Sequence, residues 1–106
     1  LVAVALIGLA ASQSRAGEYR ASNASIDTAI AIHRSLANPD TADIATALNG
    51  RASNWLMLRA DDDAERDLLA ALDLRERTHG PQFERAQIIG NLAIIAFRRD
   101  TKTSCL

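Results

Sequence analysis

Two histidines, one cysteine and three consecutive aspartates are the side chains here that could carry chemistry. His33 and His79 could ligate a metal, but no second His or Cys stands at ligand spacing from either. Both lie near expected helix C-termini, where the helix dipole favours a cationic side chain. Asp61, Asp62 and Asp63 could hold a hard cation, yet the glycine and terminal glutamate of a calcium loop do not follow. Three acids in a row suit the positive end of a helix better. Gly80-Pro81 and Gly90-Asn91 match no phosphate-binding loop, and Ser12, Ser14, Ser53 and Ser104 sit in no nucleophile elbow. Cys105 has no second cysteine to pair with. A lone thiol fits a reducing, cytoplasmic setting, and second from the end it is no prenylation box. The expectation is a chain that is not an enzyme and uses no metal or cofactor.

The elements that would position such groups are helices. Hydrophobic residues make up 48%, charged residues 24% and aromatics 4% of 106 residues, with a net charge of −1. That composition folds, and small side chains let helices approach closely. The charge balance disfavours nucleic acid, which needs a basic face, and offers a membrane no polybasic anchor. Leu1 to Ala11 is apolar but too short to span a bilayer and lacks the basic region of a signal peptide.

Apolar residues at three- and four-residue steps predict helices near 1–15, 20–36, 41–58, 61–78 and 83–99. Ile26, Ala29, Ile30 and His33 share one face. So do Ile44, Leu48, Ala52, Trp55 and Leu56, then Ala64, Leu68, Ala71, Leu72 and Arg75, and then Ile89, Leu92, Ala93, Ala96 and Phe97. Gly17-Glu18-Tyr19, Asn38-Pro39-Asp40 and His79-Gly80-Pro81 break the pattern, as proline and a C-terminal glycine should. No alternating strand pattern persists.

The chain repeats itself. A shift of 42 residues lays Ala3 on Ala45, Leu6 on Leu48, Ala10 on Ala52, Ala29 on Ala71 and Pro39 on Pro81. After Pro81 the shift is 41, pairing Ala45 with Ala86, Leu48 with Ile89 and Ala52 with Ala93. Each small residue falls where the two helices of a hairpin would touch, and a period in this range marks a helical solenoid.

Ala-Thr-Ala-Leu-Asn-Gly-Arg-Ala (45–52), Asp-Ala-Glu (63–65), Leu-Leu-Ala-Ala-Leu-Asp-Leu-Arg-Glu (68–76), Gly-Pro (80–81) and Gly-Asn-Leu-Ala (90–93) follow in that order. This resembles the tetratricopeptide repeat (TPR) in its long, 42-residue form, as in kinesin light chains. The resemblance implies an all-α, right-handed helix-hairpin solenoid of about two and a half repeats. Its units would be 1–40, 41–81 and an incomplete 82–106. Four places depart from the family pattern. Arg51 takes a leucine position, so the core there is intact only if the guanidinium snorkels out. Ser22 replaces an alanine, Arg59-Ala60-Asp61 replaces the Gly-x-Tyr turn of Gly17-Glu18-Tyr19, and Asp100 replaces a turn glycine.

The resemblance also implies a site. First helices of the family line a concave groove, where asparagines before the Leu-Ala pair hydrogen-bond an extended peptide. An amide offers both donor and acceptor, so it grips a backbone without reading its sequence. The expected partner-binding residues are therefore Asn49 and Asn91, with Ser53, Leu56, Ile94 and Arg98 one turn away. The expected function is a protein or peptide scaffold, a module of a larger regulator. The alternatives are a stand-alone cargo adaptor and a small helical-bundle enzyme. Neither end carries the polar face that caps a solenoid. That points to a segment of a longer array, with Ile94, Ile95 and Phe97 partly exposed and with self-association open to the uncapped ends.

Overall fold

A computed structural model describes residues 2–36, 41–78 and 82–104. Five helices follow one another: α1 (Val2–Arg15), α2 (Tyr19–Ser35), α3 (Thr41–Met57), α4 (Asp61–Thr78) and α5 (Gln82–Ser104). The proline-containing loops with His79, together with Leu1 and Cys105, lie outside the described residues. Each helix packs on the next in the chain; α1 also touches α3 and α3 touches α5, whereas α2 and α4 do not meet. The odd-numbered helices thus form one layer, drawn together, and the even-numbered ones a second, splayed layer. That is a solenoid of helix hairpins, measuring 49 × 31 × 21 Å.

The repeat survives in the packing. Ala3 and Ala45, Ala10 and Ala52, Ile26 and Leu68, and Ala29 and Ala71 are equivalent by the 42-residue shift, and all are buried. The core runs unbroken from Ala10 and Ile26 through Leu48, Ala52 and Leu68 to Ile88 and Ile95. Alanine at the crossings lets the helix axes approach closely, which is how a chain so poor in aromatics fills its interior.

The hairpin turns explain two of the departures. α1 closes on Gly17, at φ +82°. Glu18 N–H donates to Gln13 C=O (2.8 Å) and Gly17 N–H to Ser14 C=O (3.0 Å). This is the paired 6→1 and 5→2 bonding of a Schellman cap. α3 closes identically around Arg59, with Ala60 N–H to Trp55 C=O (2.8 Å) and Arg59 N–H to Leu56 C=O (3.2 Å). Arg59 takes φ +62°, a left-handed geometry that costs a side chain what it does not cost glycine. At Asp100, the third equivalent position, no cap forms and α5 runs on to Ser104, beyond the expected end at residue 99.

One expected face is corrected. α5 buries Ile88 and Ile95 and half-buries Leu92; Ile89, Ala93, Ala96 and Phe97 face outward, and Ile95 is not the exposed residue expected. The outward residues are equivalent to Leu48, Ala52, Trp55 and Leu56, the face of α3 on which α4 packs. Among the described residues no helix takes that place on α5.

Candidate binding groove

The concave layer of α1, α3 and α5 encloses a cleft of about 590 Å³. Ala10 and Ala11 of α1 and Ala47 and Gly50 of α3 form its small-residue floor, and Gln87 of α5 closes one wall. A Cβ added at Gly50 would meet Ile26 Cδ1 at 3.7 Å, an ordinary contact, so the helix tolerates a side chain there and the glycine simply leaves the floor low.

Ser14, Ser22 and Asn54, which also line the cleft, carry a polar network. Ser14 Oγ donates to Asn54 Oδ1 (2.8 Å). Asn54 Nδ2 donates to Ser22 Oγ (2.9 Å) and Asn23 Oδ1 (2.8 Å). Ser22 Oγ in turn donates to the Ala10 carbonyl (2.7 Å). Asn54 is 1% exposed, so these bonds replace water and tie α1, α2 and α3 in one register. Ser22, the departure from the family alanine, is therefore structural.

Arg51 is the other departure that holds the groove in shape. Its Nε and Nη2 donate to the two oxygens of Asp67 on α4 (2.7 and 2.8 Å), and its Nη1 donates to Asp27 on α2 (2.7 Å). Trp55 Nε1 adds a bond to the same Asp67 carboxylate (3.1 Å). The hydrogen bond to Asp67, above all, holds the guanidinium proton more tightly than usual. Arg51 thus snorkels out of the core and becomes a strut between α2 and α4. At the other end of the hairpin, buried Arg75 reaches the Ala42 carbonyl (3.2 Å), the Thr46 hydroxyl (2.7 Å) and the Glu84 carboxylate, joining α4 to α3 and α5.

The six expected partner-binding residues separate into groups. Ser53 lines the cleft, its hydroxyl bonded back to the Asn49 carbonyl (3.2 Å). Leu56 is 6% exposed and belongs to the core. Arg98 donates to Asp61 (2.7 Å) and to the Leu56 carbonyl (3.3 Å), fastening α5 to the start of α4. Arg99 continues that latch with Asp62 (2.6 Å) and Glu65 (2.9 Å), and Arg66 meets Asp63 (2.6 Å), so each of the three aspartates pairs with an arginine. Ile94 is exposed and Asn91 half-buried. Asn49 is half-buried, with its Oδ1 out of solvent, on the stripe of α3 where Thr46 and the Leu56 carbonyl meet α5.

The repeat register explains this separation. Asn49 and Asn91 are 42 apart, but the shift between α3 and α5 is 41, so Asn91 is equivalent to Gly50 and Asn49 to Gly90. Thr46 and Gln87 are likewise equivalent, and both line the cleft. In this register Thr46, Gly50 and Gln87 share the cleft, and Asn49 sits beside it on the stripe that meets α5. The Arg51 strut had only a negative signal, a charge where leucine belonged.

Among the described residues no group of three or more His, Cys, Asp or Glu side chains is placed to hold a metal ion. No helix among them is long and apolar enough to cross a membrane. No curated protein and no solved structure matches the chain. A tetratricopeptide-repeat family model matches residues 44–84. The segment from α3 through α4 into the first turn of α5 is thus a TPR-like repeat, flanked by helices that extend the same stack.

Proposed function

We propose that the chain is a non-catalytic interaction scaffold that takes an extended peptide or a protein segment in the groove of α1, α3 and α5, as a cytoplasmic module of a larger regulator. The observation that carries this is the cleft itself: about 590 Å³ over a low floor of alanine and glycine, edged by amides and hydroxyls that can pair with a backbone. Asn91, Gln87, Ser53 and Thr46 are the polar contacts in this reading, and Ile94 offers an apolar one. Asn49 contributes from the α3–α5 side, and Leu56 and Arg98 act by holding the wall. The 42-residue period supports assignment of the units to the long form seen in kinesin light chains.

A displayed library of short random peptides, selected on the whole chain, tests the groove. Selected peptides should lose at least tenfold in affinity for Gly50→Trp, which fills the floor, and several-fold for Asn91→Ala. Far-ultraviolet circular dichroism should stay unchanged in both. Undiminished binding by Gly50→Trp would remove the groove as the site.

A further inference from the structure

The hydrogen bonds in the wall of the cleft have a forced direction. The Ala10 carbonyl can only accept, so the Ser22 hydroxyl gives it its hydrogen. Ser22 Oγ then accepts from Asn54, which fixes Nδ2 on that side of the amide. The second hydrogen of Nδ2 goes to Asn23 Oδ1. Asn54 Oδ1 is thereby turned to Ser14, whose hydroxyl donates to it. Ser53 gives its hydrogen to the Asn49 carbonyl. Thr46 gives its own to the Ala42 carbonyl or to Glu84 (3.1 Å each) and accepts from Arg75 (2.7 Å).

The hydroxyls of the cleft and the Asn54 amide therefore have no hydrogen left for a ligand. What remains on Ser14, Ser53 and Asn54 is lone pairs. The side-chain donors that line the cleft are Arg15, the last residue of α1, and Gln87, in the second turn of α5, both exposed to water. Asn23 Nδ2 has no partner, but Asn23 does not line the cleft. Among the described residues no carboxylate lines it either.

We propose that the groove selects its partner by neutral hydrogen-bond donors. The segment it takes sets the O–H or N–H of a serine, threonine, asparagine or glutamine side chain on the oxygens of Ser53 and Ser14, beside the floor of Ala47 and Gly50. This rests on the reading of the groove as a peptide site and adds the chemistry it prefers. A carboxylate or phosphate in the same place meets lone pairs with lone pairs and loses its water without compensation. An ammonium meets acceptors, but no carboxylate neutralises it, and Arg15 stands in the same cleft. Phosphorylation of the partner's hydroxyl would thus release it.

Short random peptides displayed and selected on the whole chain, sequenced before and after selection, test this. They should enrich serine, threonine, asparagine or glutamine at one position and lose aspartate and glutamate there. The balance between the hydroxyl and the amide residues tells which donor the site prefers. In a synthetic copy of a selected peptide, aspartate or phosphoserine at that position should lower affinity at least tenfold by fluorescence anisotropy. Ser53→Ala should weaken the selected peptide about fivefold and leave unchanged a copy that carries alanine at that position. Enrichment of aspartate or glutamate that Arg15→Gln abolishes would overturn the proposal in favour of a carboxylate on Arg15. A selected peptide indifferent both to the aspartate exchange and to Ser53→Ala would overturn it too. Peptides indifferent to Gly50→Trp would remove the groove itself as the site, and this proposal with it.

Discussion

Arg51 shows how one residue can break a family pattern without breaking the fold. Asp67 is 2% exposed in the heart of the α3–α4 hairpin, and its charge is tolerable only because Arg51 meets both of its oxygens. A buried charge stripped of its partner costs about 3–5 kcal/mol, whereas exchanging a whole buried pair for apolar groups is often neutral. Arg51→Leu, which restores the family residue, should therefore destabilise the protein by about 2–4 kcal/mol. Combining it with Asp67→Leu should recover most of that loss, although Trp55 then also loses its acceptor. Urea denaturation of the two variants and the parent measures both effects. A stabilised Arg51→Leu single variant would mean that the strut contributes nothing.

At the scale of elements, hairpin closure does not depend on glycine. The caps at Gly17 and Arg59 have the same hydrogen bonds, because packing of α2 on α1 and of α4 on α3 forces the turn whichever residue occupies it. Left-handed backbone costs a residue with a Cβ roughly 1–2 kcal/mol relative to glycine, partly offset by glycine's freedom in the unfolded chain. Arg59→Gly should thus raise stability by about 0.5–1 kcal/mol, seen as a higher thermal midpoint with unchanged helicity. The helices themselves were legible in the sequence to within a residue or so, because apolar period and breakers coincide at Gly17 and before Thr41. The end of α5 was not: at Asp100 there is neither a glycine nor a packed return helix, and the helix continues. Ser53 was legible on the face that lines the cleft, whereas the side of α3 that Asn49 takes was not, since one residue of register turns a helix face by about 100°. Arg51, Asp27 and Asp67 could not be joined from sequence, because they lie on three helices whose faces are fixed only by packing.

For the molecule as a whole, the layered contacts set a gradient of stability. α3 is enclosed by all four other helices, whereas α5 touches only α3 and α4 and turns its widest apolar face outward. In a stack of this kind stability is close to a sum over neighbouring interfaces, so a helix with fewer neighbours opens more often. The ion pairs of Arg98 and Arg99 fasten α5 at a partly exposed edge, where such pairs contribute little. Amides in the middle of α5 should therefore exchange with solvent at least roughly tenfold faster than those of α3 in dilute solution. Hydrogen exchange followed by mass spectrometry should show the slowest amides in α3 and faster exchange across the middle of α5. Equal protection of α3 and α5 in dilute solution would sink the gradient.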